Sequence, residues 1–185
     1  MLKKTVIFCI IFAFIAAVIT LIIAPKTFED ISLDNQMIIA LQQYLQINTA
    51  HPNPHYSQGL HFLRTLAEKD GFIFRCVKLP SGNPVGIITF YGNNPVLPAI
   101  ALNHHMDVVP ATNTAEWIVD PFSGSIVDDS IVSRGIQDMK GIGMVHYFAL
   151  KSLKESGYKP ARTIHIFAVP DEEVGGFKGT KEFIH

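Results

Sequence analysis

The sequence predicts an α/β fold: a central mixed β-sheet flanked by helices. Three observations carry that expectation. Short apolar runs alternate with segments of helical periodicity, the pattern of helices layered on a sheet. Clusters of Gly, Pro and Asn separate the runs at spacings that suit hairpins and short connections. Several runs are followed by His, Asp or Glu, and functional groups of that kind collect at the carboxyl ends of strands in open α/β sheets.

Gln36 to Leu45 is predicted helical, with Ile38, Leu41 and Leu45 on one side. The prolines of Thr49-Ala-His-Pro-Asn-Pro54 break that helix. Tyr56 to Lys69 is predicted helical again, with Leu60, Leu63, Leu66 and Ala67 as its apolar face and Asp70-Gly71 as its stop. Phe72 to Leu79 and Val85 to Tyr91 are predicted to pair as a hairpin across the turn Pro80–Pro84. Ala99 to Leu102 is predicted to be a strand buried on both faces. Ile126 to Val132 is predicted to form two short strands around Asp128-Asp129. Gly141 to Ser156 is predicted to be a helix with Ile142, Val145, Phe148, Ala149 and Leu153 on its inner face. Thr163 to Val169 is another predicted strand, and Phe177 to Ile184 a last helix.

The 185 residues suffice for one ordinary domain with its own core. Basic residues number 15 and acidic residues 16, for a net charge of −1. No basic stripe forms, which argues against nucleic acid as a partner. Hydrophobic residues make up 48% of the chain and charged residues 17%, a bias owed in part to the N-terminus. Val6 to Ala24 carries no charge and follows Lys3-Lys4. As a helix it would span about 28 Å, close to the hydrocarbon thickness of a bilayer. It reads as a transmembrane anchor, with a cleaved signal peptide as the alternative. The expected organisation is therefore residues 1–24 as anchor or signal, 25–35 as linker and 36–185 as a catalytic domain. The expected localisation is a single-pass membrane protein, held through residues 6–24 with its catalytic part lumenal or extracellular. Secretion and a cytoplasmic location are the alternatives. Cys9 and Cys76 are not expected to form a disulfide.

Three segments carry chemistry. His105 and Asp107 follow an apolar strand, and residues two apart on an extended chain point the same way. Asp107 can then accept a hydrogen bond from the far ring nitrogen of His105, as a metal-bound histidine requires. Asp138 lies in a glycine-punctuated turn before a helix. It reads either as a carboxylate bridging two cations or as the cap of that helix. Glu172 and Glu173 sit at a bend after an apolar strand, before Gly175-Gly176. One can bind a metal while the other, facing a metal-polarised water, serves as a general base. His165, mid-strand, is expected to be structural. His51, His55 and His61 are expected on a solvated face. Trp117 is expected to pack beside Pro121-Phe122, and Lys140 to be solvated.

Longer stretches carry a family resemblance: His51-Pro-Asn-Pro54, Leu102-Asn-His-His-Met-Asp-Val-Val-Pro110, Trp117 to Ser123, Ser133-Arg-Gly-Ile-Gln-Asp-Met-Lys-Gly141 and Arg162 to Gly176. From about Gln46 onward the chain resembles the aminoacylase-1 branch of the dinuclear zinc amidohydrolases, a group that includes carboxypeptidase S and related metallo-exopeptidases. The resemblance implies a zinc-exopeptidase-like fold and two zinc ions. His105 and Glu173 would each ligate one zinc, Asp138 would bridge both, Glu172 would be the general base and Asp107 would orient His105. The Asp138–Met139 peptide bond would be cis. The substrate would be a small N-acyl-L-amino acid, cleaved to a carboxylate and a free amino acid. A membrane-anchored carboxypeptidase acting on short peptides, or a truncated non-catalytic fragment, are the alternatives. The remaining zinc ligands are expected beyond residue 185. The lid domain, which in the family carries dimer contacts and substrate-carboxylate recognition, is expected there too; a homodimer would form through it. His104 stands where the family usually has a small residue.

Overall fold

Two amphipathic helices precede the sheet in the computed structural model, which describes residues 32–185. Helix α1 (Leu33–Leu45) buries Ala40, Leu41, Tyr44 and Leu45. Helix α2 (Tyr56–Lys69) buries Leu60, Leu63, Leu66 and Ala67, the i, i+3, i+4 stripe of a helix laid on a core. Complete burial of a side chain such as Leu63 contributes about 2 kcal/mol. The hairpin β1 (Ile73–Lys78) and β2 (Pro84–Phe90) follows, then β3 (Ile100–His105). A separate two-stranded hairpin, β4 (Ser125–Val127) and β5 (Ser130–Val132), turns through Asp128 and Asp129, both at positive φ. Helix α3 (Gly141–Glu155), strand β6 (Ile164–Val169) and the short helix α4 (Thr180–Ile184) complete the order.

The main sheet is mixed, with strand order β1-β2-β6-β3. β2 pairs antiparallel with both β1 and β6, and β3 runs parallel to β6 from Ile100↔Ile164 to His105↔Val169. A parallel pair needs a long crossover, and α3 supplies it by packing on the sheet. Because β3 and β6 are parallel and in register, their carboxyl ends emerge side by side. The residues after each therefore share one edge of the sheet.

Some expectations need correction. β3 runs three residues past Leu102, and its first residues are exposed rather than buried on both faces. It is one of the two edge strands of the sheet among the described residues, so no strand pairs with its outer side. The inner face of α3 is also rotated from the expected one. Met144, Tyr147, Phe148 and Lys151 are buried, whereas Ile142, Val145 and Leu153 are 41%, 51% and 37% exposed. α3 is apolar on more than one side, so periodicity alone did not single out the packed stripe. Cys76 is a free, exposed thiol.

The membrane expectation rested on Val6–Ala24, which lies outside the described residues. Among the described residues no helix is long and apolar enough to cross a membrane. The longest, α3, has 15 residues and spans about 22 Å, well short of a bilayer core.

Candidate metal centre

Three chain segments meet at the carboxyl edge of the β3–β6 pair. β3 delivers His105, and the backbone continues through Met106 to Val108 against the loop after α1. There Val108 N–H donates to the Thr49 carbonyl (3.2 Å), His51 N–H donates to the Val108 carbonyl (3.2 Å) and the Thr49 hydroxyl donates to the Met106 carbonyl (2.6 Å). β6 leads into a single helical turn, Glu172–Val174, entered through Asp171 at φ 72°. The third segment is a widened turn, Ile136–Lys140, in which Asp138 leaves helical geometry at φ −124°, ψ 93°. Gly135 opens that turn at φ 81°, and a Cβ there would stand 2.7 Å from Val108 Cγ1, so glycine is required on both counts. The Asp138–Met139 peptide bond is cis, as the resemblance implied.

Ligand-type atoms of His105, Asp138 and Glu173 all lie within 4.8 Å of one another. His105 Nε2 stands 2.8 Å from Asp138 Oδ1 and 3.5 Å from Glu172 Oε2. The sequence left Asp138 open between a bridging ligand and a helix cap. The N-terminus of α3 has no side-chain cap bond, and the Asp138 carboxylate faces His105 instead. A cavity of about 220 Å³ opens here, lined by Arg134, Gln137, Asp138 and Glu173 among others. A larger groove of about 490 Å³ runs beside α2, lined by Ile47, His61 and Phe62. It holds none of the converging groups, so the smaller cavity is the relevant one.

Asp107 is the hub of the site and has no exposure to water. Its Oδ1 accepts the Glu172 N–H at 3.2 Å, and its Oδ2 accepts the Glu173 N–H at 3.0 Å. The ring of His105 is oriented differently from the sequence expectation. Its Nδ1–H donates to the backbone carbonyl of Asp107 at 2.9 Å, while the nearer carboxylate oxygen is 3.9 Å away. The carboxylate is turned toward the two glutamate amides, which compete for it. With Nδ1–H committed to that carbonyl, Nε2 is the ring nitrogen left facing the carboxylates of Asp138 and Glu172.

That arrangement suits a cation. Carboxylates 138, 172 and 173 gather around one imidazole, leaving a surplus of negative charge. Glu173 responds to its surroundings. Desolvation raises its pKa above the ordinary carboxylate value, the neighbouring charges of Asp138, Asp107 and Glu172 raise it further, and His105 opposes them. Hard carboxylate oxygens with an imidazole nitrogen make a donor set for zinc and for other divalent metals such as manganese or cobalt.

Several residues behave differently from their sequence reading. Lys140 is fully buried, not solvated. Its Nζ donates to the carbonyls of Tyr44 (3.1 Å) and Ile47 (2.7 Å), at the end of α1, and lies 4.9 Å from the centre of the Tyr44 ring. Burial pulls its pKa down to about 7. His51 is not on a solvated face either, because its Nε2–H donates to Asp107 Oδ2 at 2.9 Å. The signal available for His51 was its place in a loop stiffened by Pro52 and Pro54. His55 and His61 are exposed as expected. His165 pairs with the Thr89 hydroxyl across the β2–β6 ladder at 2.9 Å, and Arg134 lies over the Trp117 ring at 5.1 Å. His104 is buried behind the site, 3.3 Å from the Tyr44 hydroxyl. Burial first, then the charges of His146, His105 and Lys140, push its pKa down to about 3.

The model of peptidase family M20/M25/M40 matches residues 101–185. Those residues are part of a peptidase M20 domain. The match spans β3, the Asp138 turn and the Glu172–Glu173 turn, which together hold every ligand-type group of the cluster. The chain is 38% identical to aminoacylase-1 of Mus musculus over 159 residues, which is 85% of this chain and 39% of that protein. Among solved structures it is similar to the M20 family metallo-carboxypeptidase Sso-CP2 of Sulfolobus solfataricus. The TM-score is 0.69 and the identity 25%, covering 76% of this chain and 32% of that one. It also shares the fold of human carnosine dipeptidase 1, with TM-score 0.66 and 20% identity over 82% of this chain and 36% of that one. The chain thus spans well under half the length of the relatives it matches. With aminoacylase-1 matching along most of the chain and no membrane-crossing helix among the described residues, the expected membrane localisation does not stand.

Proposed function

We propose that residues 36–185 form the N-terminal part of a metal-dependent amidohydrolase that cleaves the amide bond of small N-acyl-L-amino acids. The observation that carries this reading is the convergence of His105, Asp138 and Glu173 within 4.8 Å, with the Glu172 carboxylate beside them. His105, Asp138 and Glu173 would hold divalent metal, with Asp138 shared between two zinc ions. Such ions, once bound, polarise the scissile carbonyl and lower the pKa of a water molecule.

Asp107 keeps His105 in the tautomer whose free nitrogen faces the ligand cluster, and it fixes the turn that carries the two glutamates. Glu172 is not needed as a ligand and keeps an exposed carboxylate at the cluster. It takes a proton from the attacking water and returns it to the leaving nitrogen, which becomes the amine of the freed amino acid. A positioned general base of this kind is worth roughly 10²–10⁴-fold in rate. Glu172→Gln in the full-length protein should therefore keep its metal content while kcat on an N-acetyl amino acid falls by about that factor. Undiminished turnover would refute the assignment.

The likeness to a metallo-carboxypeptidase at 25% identity favours a second substrate class, short peptides with a free carboxyl terminus. Comparing an N-acetyl amino acid with an N-blocked dipeptide, each at several concentrations, separates the two by kcat/KM.

A further inference from the structure

We infer that His51 is a positioning residue of this centre: its ring holds the buried Asp107 carboxylate, and through it the turn that presents Glu172 and Glu173. As far as metal is concerned, this rests on the amidohydrolase reading. The part concerning the turn does not.

The geometry is a chain of short contacts. His51 Nε2–H donates to Asp107 Oδ2 at 2.9 Å. The same carboxylate takes the amides of Glu172 at 3.2 Å and Glu173 at 3.0 Å, and the Asp107 carbonyl takes His105 Nδ1–H at 2.9 Å. One residue without solvent exposure thus joins a metal ligand, the proposed base and a second ligand. A carboxylate withdrawn from water costs several kcal/mol unless donors satisfy it. The two backbone amides supply part of that, and a carboxylate has room for about four donors. His51 supplies a side-chain donor to Oδ2, the oxygen that also takes the Glu173 amide.

His51 is held for this task. Its backbone N–H donates to the Val108 carbonyl, Ala50 bridges to Val108, and Pro52 follows immediately. The ring is therefore fixed beside Asp107 by the same ladder that carries the chain past His105. Without the ring, Oδ2 loses a donor. The carboxylate is then free to rotate, which weakens its hold on the Glu172 and Glu173 amides.

The test is residue-resolved amide hydrogen exchange on the metal-free 185-residue chain, comparing wild type, His51→Phe and His51→Gln. The glutamine amide puts an N–H donor at nearly the reach of Nε2. In His51→Phe the Glu172 and Glu173 amides should exchange about tenfold faster than in wild type, with Ile166 in β6 unchanged. His51→Gln should restore them. In an Asp107→Asn background His51→Phe should add nothing further. No change at Glu172 and Glu173, or an acceleration shared equally by Ile166, overturns the inference, the second because it marks a general packing role. Failure of His51→Gln to slow exchange relative to His51→Phe overturns it as well. A parallel zinc titration should show about tenfold weaker binding in His51→Phe, the usual scale for losing a supporting contact. If wild type binds no zinc, His105, Asp138 and Glu173 do not hold the ion by themselves, and the exchange data alone decide the role of His51.

Discussion

Lys140 and Asp138 are two residues apart and have opposite fates. The Asp138 carboxylate is 74% exposed at the ligand cluster, and the Lys140 ammonium is fully buried against the end of α1. Residue type and position revealed the first, because an acid in a glycine turn before a helix has few roles. They did not reveal the second, because burial of a lysine depends on Tyr44 and Ile47, some ninety residues earlier. His51 was missed for the same reason: its partner, Asp107, lies 56 residues away. The burial of Lys140 has a pH signature. Its native pKa, about 7, is below that of an unfolded lysine. Between about pH 7 and 10 the unfolded chain binds the extra proton, so this group makes stability rise with pH through that window. Urea unfolding at pH 7 and pH 9 should show that rise in wild type and a smaller one in Lys140→Met. That variant should also lose about 1–3 kcal/mol, because the partly buried Ile47 carbonyl is left without its donor.

Elements were more legible than their contacts. Five stretches predicted as strands, one of them as a pair, became the six observed strands, because β-branched runs between glycine and proline turns leave few alternatives. The end of β3 was misjudged at Leu102, since Asn103-His104-His105 reads as polar loop. His104 and His105 are in fact buried at the sheet's carboxyl edge. The approach of α3 to that edge is close. A Cβ on Gly143 would stand 2.5 Å from the His104 ring, so the small residue is supplied by the helix, and the strand carries the large one. Gly143→Ala should destabilise the chain by about 1–3 kcal/mol through overpacking. Combining it with His104→Ala should recover part of that loss, whereas two independent penalties would simply add. Chemical denaturation of both single variants and the double variant decides between these outcomes.

For the molecule as a whole, layered α/β architecture followed from the alternation of periods, but the strand order β1-β2-β6-β3 did not. Pairing β3 with β6 joins segments about sixty residues apart, and no local signal encodes that register. It is nevertheless the pairing that makes the site, because it brings the ends of two parallel strands together at the Asp138 turn. The central claim is that His105, Asp138 and Glu173 together hold divalent metal, with Asp138 as the shared ligand. Cobalt(II) titration of the 185-residue chain, read by visible absorption, tests this most directly. Wild type and the control Asp128→Asn, altered in the turn of the separate β4–β5 hairpin, should bind alike, and Asp138→Asn should bind at least about tenfold more weakly. Equal binding by Asp138→Asn and wild type would contradict the account.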